Sequence, residues 1–224
     1  MNAFYQEQPK KNYKMEGYYE RNEVSNSDLS WLNSYWQPEM DEVVKQKAYK
    51  FGSLIDAIIT EPETVDYFKY MVGKVQYSQE DFERAIEMKK SFMKDDLAKH
   101  ILQQSETQKV MITNRSFHYD GVDFKLDVRC KWDLWMPNLG WGGDLKSTTA
   151  TTQKQFEEAV RFFDYDRQRA WYMDIADSRQ DILIGVSKVN FKVFKVPVRR
   201  DDELYKNGFK KYNELAFKWW ALFE

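Results

Sequence analysis

Residues 124–147 read FKLDVRCKWDLWMPNLGWGGDLKS, and this stretch decides the fold. From Phe124 to Trp135, apolar and polar residues alternate with a period of two, which predicts a half-buried β-strand. The turn-forming residues PNLG follow at 137–140, and a second strand is predicted from Trp141 to Ser147. The stretch is therefore predicted to form a β-hairpin.

This hairpin is predicted to bring three charged side chains together. Residues two apart on a strand share a face, so Asp144 and Lys146 point the same way while Leu145 is directed into the core. The turn places Asp133 close to both. Two converging carboxylates suit a hard divalent cation, and a lysine beside such an ion can orient the attacking water in phosphodiester hydrolysis. The alternative is a solvated face with a weak ion pair, which is the commoner meaning of Asp-x-Lys on a strand.

The composition is typical of one soluble domain. The 224 residues are 42% hydrophobic, enough for a substantial core. No apolar run has the length of a membrane span, and residues 1–14 are too polar for a secretory signal, so a cytoplasmic location is expected. The single cysteine, Cys130, excludes an internal disulfide. Because the net charge is only −2, any contact with DNA is expected to come from a local basic patch.

Further helices and strands are predicted on both sides of the hairpin. Before it, hydrophobic periodicity predicts helices at 42–59 and 78–103 and a short strand at 109–114. After it, the pattern predicts helices at 153–163 and around 163–172, strands at 182–186 and 191–196, and a last helix at 201–223. The first of these helices is predicted to direct seven apolar residues into the core: Val43, Val44, Ala48, Leu54, Ile55, Ile58 and Ile59.

The N-terminal part contains a further helix start. Residues 1–22 are aromatic and irregular and are interpreted as an arm over a single domain that spans 23–224. Ser25 or Ser27 is predicted to cap a helix. The same helix start could instead bind a phosphate, because its free N–H groups and dipole favour an anion.

Four motifs along the chain resemble the PD-(D/E)xK nuclease superfamily, and within it the exonuclease VIII-type and lambda-exonuclease-like enzymes of phage recombination. Asp133 followed by Asp144-Leu145-Lys146 resembles the bipartite core of the superfamily, with Trp132 where a proline is usual. Ser25-Asn26-Ser27 resembles the Ser-x-Ser motif of these exonucleases, and Gln168 with Tyr172 resembles their Gln-x-x-x-Tyr motif.

The fourth motif departs from the family pattern at one position. Residues 51–63 resemble a family segment that contains a glycine, a histidine, an aliphatic run and then Glu-Pro-Glu, but Asp56 stands at the histidine position. The family histidine is a metal ligand, and a carboxylate there would favour hard, oxygen-preferring ions. The alternative is that Asp56 is a polar residue at the edge of a helix.

The resemblance implies an α/β fold with a restriction-endonuclease-like core, in which helices flank a mixed β-sheet and an N-terminal helical elaboration is added. It implies a 5′-to-3′ exonuclease on duplex DNA ends that uses Mg²⁺ or Mn²⁺, forms a ring-like homo-oligomer and works with a single-strand annealing protein. Lys146 would position water. The implied metal ligands are Asp56, Asp133, Asp144 and the carbonyl of Leu145, and the implied DNA-binding or supporting residues are Ser25, Ser27, Gln168 and Tyr172.

Two alternative functions remain open. An endonuclease or a single-strand nuclease of the same superfamily would share every site residue. A DNA-binding relative without catalytic activity is also compatible with the sequence, because Asp56 replaces the family histidine.

Overall fold

In the part of the chain that the structure describes, four helices and a small sheet precede the main sheet. The computed structural model describes Tyr18, residues 21–36 and residues 42–224. The helices are α1 (Asn26–Ser34), α2 (Glu42–Thr60), α3 (Gln79–Lys94) and α4 (Asp96–Gln104). Between α2 and α3 lie a 3₁₀ turn (Pro62–Thr64) and an antiparallel sheet of three two-residue strands: β1 (Val65–Asp66), β2 (Met71–Val72) and β3 (Val75–Gln76).

A five-stranded mixed sheet forms the centre of the protein. Its strands, in both chain order and spatial order, are β4 (Glu106–Tyr119), β5 (Val122–Met136), β6 (Trp141–Thr148), β7 (Gln180–Ser187) and β8 (Val193–Arg199). Neighbours are antiparallel except β6 and β7, which are parallel and are joined through α5 (Gln153–Phe162) and α6 (Tyr165–Ile175). Helix α7 (Glu203–Phe223) ends the chain.

Helices cover both faces of this sheet. Residues of α1, α5, α6 and α7 form one buried apolar cluster with β5, whereas residues of α2, α3 and α4 form a second cluster with β6 and β7. The predicted α/β architecture, with a restriction-endonuclease-like core and a mixed sheet flanked by helices, is thus confirmed. The predicted hairpin is also confirmed, as are the strands and helices that follow it, apart from shifts of a few residues at their ends.

Helix 78–103 was predicted as one element and is in fact two. Asp95 ends α3, and its carboxylate accepts the backbone N–H of Ala98 at 3.0 Å to begin α4. An aspartate side chain that satisfies a free backbone donor favours a new helix start over continuation. The break was not predicted because the apolar spacing continues across it.

The predicted burial of α2 is correct only for its second half. Leu54, Ile55, Ile58 and Ile59 are buried, but Val43, Val44 and Ala48 are exposed. Burial begins at Phe51, where the helix reaches the sheet. The periodicity of an amphipathic helix gives the direction of its apolar face and does not give the point at which a neighbour starts to cover that face.

Most of the predicted N-terminal arm lies outside the described residues, and the division into an arm and a single domain stays a prediction. Within the described ranges, no helix is both long enough and apolar enough to cross a membrane.

Candidate active site

The candidate site lies where β5 and β6 separate. Their pairing ends at Leu134 opposite Gly143, so the next residues, Asp133 and Asp144, are the first beyond the shared hydrogen bonds. Strand β6 pairs with β7 in parallel from Gly142 to Thr148. Just before β5 and β6 separate, these two strands lie very close together, because a Cβ on Gly142 would be only 2.3 Å from the Leu134 carbonyl oxygen. Only glycine fits there, and the tight hairpin fixes the position of both aspartates.

A short N-terminal segment pairs with the edge of β5 that β6 leaves uncovered. Val24 forms a parallel bridge with Val128 of β5, and its N–H and C=O bond to Asp127 O and Arg129 N at 2.8 Å each. Along this edge, β5 therefore pairs with Val24 at its middle and with β6 at its C-terminal end. The part of β5 that leads to Asp133 lies between the two.

Backbone and side-chain bonds hold the predicted catalytic residues together. The Leu145 N–H donates to Asp133 Oδ2 at 2.8 Å, which fixes the first aspartate against β6. The Lys146 ammonium forms an ion pair with Asp144 Oδ2. Leu145 is buried, as predicted. The structure thus brings Asp133, Asp144 and Lys146 into one cluster.

Helix α2 carries Asp56 to the same cluster. Gly52 lies one turn before Asp56, on the same helical face, and a Cβ there would be 4.0 Å from Ser147 Oγ of β6. The close approach at Gly52 therefore brings this face of α2 against the strand that bears Asp144 and Lys146.

A strained residue links α2 to the strand beside Asp133. Gln108 of β4 lies opposite Asp133 and has a left-handed backbone with φ of 54°. Its amide donates to Thr60 Oγ1 at 2.9 Å, and this hydroxyl donates to the Asp56 carbonyl at 2.8 Å. Backbone strain of this kind persists only where the surroundings hold it, and it often occurs at functional sites. Gln108 therefore ties the end of α2 to the sheet next to the cluster.

Sequence reasoning missed an arginine that joins two buried carboxylates. Arg169 of α6 is fully buried and contacts Asp144 Oδ1 at 2.9 Å and Asp181 Oδ2 at 3.3 Å. Its guanidinium lies over the ring of Tyr172, 4.2 Å from the centroid. Two features of the sequence pointed to this arginine. Arg169 shares a helical face with Tyr172, and Asp181 directly precedes the apolar run 182–186.

The site holds more buried carboxylate than its cations neutralise. Burial, then the Asp133 and Asp144 carboxylates, raise the pKa of Asp56 well above its ordinary value. Burial and Asp144 raise the pKa of Asp133 to about 6. Burial lowers the pKa of Lys146, but Asp144 and Asp133 outweigh this effect, so its pKa is raised and the ammonium stays charged. These shifts show that the four side chains interact within one poorly solvated site.

Aromatic rings surround the two cations of the site. The Lys146 ammonium lies 4.9 Å from the centroid of the Tyr165 ring. Tyr172, one of the predicted supporting residues, is buried and packs edge-on against Trp132 at 5.6 Å, so it supports the hairpin from α6. Gln168 lies on the same helix and is half-buried. Tyr165 was not predicted as a site residue.

The two predicted N-terminal serines have different environments. Ser25 caps α1, where it forms a capping box with Asp28, and it is buried. The Asp28 carboxylate, which also accepts from Arg129 at 3.4 Å, occupies the helix start. Ser27 is exposed. The capping prediction is confirmed for Ser25, while phosphate binding stays a prediction for both serines.

The donor atoms suit a hard divalent cation. In the described ranges, no three His, Cys, Asp or Glu side chains are already arranged to hold a metal. Asp133 and Asp144 nevertheless provide carboxylate oxygens next to the Leu145 backbone, and burial together with neighbouring carboxylates raises the pKa of both Asp133 and Asp56. Oxygen ligands in a site with several buried carboxylates fit a hard divalent cation.

The mixed sheet, with two aspartates and a lysine where its antiparallel and parallel parts meet, defines a protein of the PD-(D/E)xK type. Residues 22–221 match a family described as a PDDEXK-like domain of unknown function (DUF3799), and the chain belongs to this family. The superfamily resemblance is thus confirmed, while the exonuclease VIII-type assignment stays a prediction. No curated protein matches the chain.

Two solved structures are similar at low identity. The crystal structure of SSO0001 is 13% identical, with a TM-score of 0.38 over 74% of this chain and 74% of that one. The crystal structure of a phage related exonuclease from Haemophilus somnus 129PT is 13% identical, with a TM-score of 0.37 over 73% of this chain and 79% of that one.

Proposed function

We propose that this protein is a divalent-metal-dependent deoxyribonuclease, and specifically a 5′-to-3′ exonuclease that acts on duplex DNA ends in phage-type recombination. The observation that carries the proposal is the joint placement of Asp133, Asp144 and Lys146 where β5 and β6 diverge. The family match supports a nuclease, and the finer activity rests on the motifs in the sequence.

Each residue of the cluster has a role in this proposal. Asp133, Asp144 and the carbonyl of Leu145 would hold Mg²⁺ or Mn²⁺, with Asp56 as a further oxygen ligand. The ion would supply Lewis-acid activation of the phosphodiester. Lys146, whose raised pKa keeps it protonated, orients water and offsets the charge that develops on the phosphate oxygens.

Arg169 would act through Asp144 and not on the substrate. It is fully buried, so it cannot reach a phosphodiester, but its ion pair with Asp144 Oδ1 would hold that carboxylate in place. Asp181 in turn holds the guanidinium from the opposite side. Such outer partners keep metal ligands in the productive orientation.

Digestion of labelled DNA tests the activity. Linear duplexes labelled at the 5′ or the 3′ end, and closed circular duplexes, are incubated with the native protein and Mg²⁺ or Mn²⁺. We expect progressive loss of the 5′-terminal nucleotides from linear DNA and no cleavage of circles. Cleavage of circles would indicate an endonuclease, and the absence of any cleavage with either ion would refute the catalytic proposal.

Two variants and one control connect the activity to the site. Asp144→Asn and Lys146→Ala are expected to abolish cleavage. Lys90→Ala removes a charge from an exposed ion pair with Glu87 on α3 and is expected to cleave like the native protein. Comparable turnover by either site variant would contradict the assignment. The ring-like oligomer and the annealing partner stay predictions.

A further inference from the structure

A row of aromatic side chains leads from solvent to the candidate catalytic lysine. Phe162 is 77% exposed and Phe163 is 49% exposed, although both are large apolar residues. Their ring centroids are 4.9 Å apart, and Phe163 stacks on Tyr165 at 5.7 Å with an angle of 28° between the planes. The ring of Tyr165 then contacts Lys146. The three rings and the ammonium form a continuous series, which we call the aromatic row.

The turn that presents these rings is fixed in place. It joins α5 to α6 through Asp164, which has a left-handed backbone with φ of 54°. The Asp164 carboxylate contacts Lys211 of α7 at 2.7 Å and Arg167 of α6 at 3.7 Å. The aromatic row is therefore presented by an anchored turn, in which an unusual backbone conformation is held by two ion pairs.

Helix α2 presents a further exposed aromatic residue near this turn. Tyr49 of α2 is 65% exposed and lies two turns before Asp56 on the same helical face. It lies near both Tyr165 and Arg167, since its hydroxyl contributes to raising the pKa of each. Rings from α2 and from the α5–α6 turn thus lie near one another.

The chemistry of these exposed rings favours the bases of a single strand. Exposed rings stack on the flat faces of unpaired bases, whatever their sequence, whereas the faces of paired bases inside a duplex are already covered. Lys146 lies at the inner end of the aromatic row, and exposed Arg161 directly precedes Phe162 at its outer end. Cations at both ends complement the phosphates of a strand that runs along the rings.

We propose that Phe162 and Phe163 form a stacking platform for unpaired nucleobases of the DNA strand that enters the site. The proposal rests on the proposed function in one respect, namely that the substrate is DNA. It adds that the protein engages a frayed or single-stranded end through its bases before the phosphodiester reaches Lys146.

Binding without turnover tests the platform. The affinity of the native protein and of Phe162→Ala/Phe163→Ala is measured by fluorescence anisotropy in EDTA, with a labelled oligothymidylate and with an abasic oligomer of equal length and charge. We expect the double variant to bind oligothymidylate about tenfold or more weakly, because stacking contributes substantially for each base. Its binding to the abasic oligomer should not change.

Two controls separate stacking from other effects. Phe163→Trp retains a π-face and should bind oligothymidylate at least as well as the native protein. Leu222→Ala removes an exposed apolar side chain from the last turn of α7 and should bind like the native protein. Phe162 is largely exposed and Phe163 is about half exposed, so the double variant should stay folded and its melting temperature should fall by only a few degrees.

The other outcomes overturn the proposal in distinguishable ways. Equal affinity of the native protein and the double variant for oligothymidylate refutes the platform, and the proposed nuclease function still stands if the native protein cleaves duplex ends. Dissociation of a native oligomer by the double substitution, with unchanged affinity for oligothymidylate, would show that the rings contact a second copy of the chain. Failure of the native protein both to bind and to cleave DNA would refute both proposals.

Discussion

Replacing Arg169 with methionine should destabilise the protein strongly, and more at alkaline pH than at acidic pH. The variant Arg169→Met keeps a long side chain but removes the charge between Asp144 and Asp181, whose oxygens lie 2.9 and 3.3 Å from the guanidinium. All three side chains are buried, so the carboxylates would lose a partner that water cannot replace. Breaking a buried ion pair in this way costs about 3–5 kcal/mol of unfolding free energy.

The pH dependence follows from the state of Asp181. Burial raises its pKa to about 7 in the native protein, and Arg169 opposes that rise. Without Arg169 the folded pKa climbs further above the unfolded value of about 3.9, so the folded state binds more protons and its stability increases as the pH falls. For each unit by which the substitution raises the folded pKa of Asp181, the loss of unfolding free energy should be smaller by about 1.4 kcal/mol at a pH where this carboxyl is protonated.

Urea unfolding of the native protein and of Arg169→Met at pH 8 and pH 5 measures both effects. A second substitution, Asp181→Asn, should restore part of the stability lost at pH 8, because it removes one of the two unpaired carboxylates. Arg161→Met, on the exposed face of α5, should change the free energy by no more than about 0.5 kcal/mol. A loss below about 1 kcal/mol for Arg169→Met, or an equal loss at both pH values, would refute this reasoning.

Three further predictions concern stability and reactivity. Ser25→Ala removes a capping box and should lower the unfolding free energy by about 1 kcal/mol, whereas exposed Ser27→Ala should be nearly neutral in the same urea titration; equal effects would mean that the cap is not important. Gly142→Ala places a Cβ 2.3 Å from the Leu134 oxygen and should lower the melting temperature by more than about 5 °C, and an unchanged temperature would show that the hairpin relaxes freely. Burial raises the pKa of the Cys130 thiol to about 12, so it should react with a thiol reagent only as fast as the protein opens; rapid labelling at pH 8 of folded protein would contradict its burial.

The hairpin could be predicted because its signals are local. Alternation with a period of two, a turn at 137–140 and a second short strand all lie within 24 consecutive residues, 124–147. Proximity of Asp133 to Asp144 then follows from the turn alone. The placement of Asp56 near the hairpin could be predicted only from a family motif. No local pattern shows that a helix residue 77 positions before Asp133 lies next to it.

Other features depended on contacts that a single sequence does not reveal. Trp132 packs with α6, whereas Leu134, two residues later, packs with the helices on the opposite face, so the predicted alternation is interrupted at Asp133. The left-handed Gln108 opposite Asp133 accompanies this interruption, and glutamine carries no signal for such a conformation. Arg169 was missed for a related reason, because a charged helical residue is normally assigned to the surface unless its partners are known.

The bridge between Val24 and β5 bears on how this protein can be produced. Strand β6 pairs with β5 only from Leu134 to Met136 and leaves the edge of β5 around Val128 uncovered. Val24 covers this edge and supplies one hydrogen-bond donor and one acceptor there. A recombinant chain that begins after residue 25 would leave those groups of β5 without partners, and an uncovered strand edge is a template for pairing with another molecule. Expression boundaries should therefore retain residues 21–25, and shorter versions should accumulate as aggregates although Asp56, Asp133, Asp144 and Lys146 are all present.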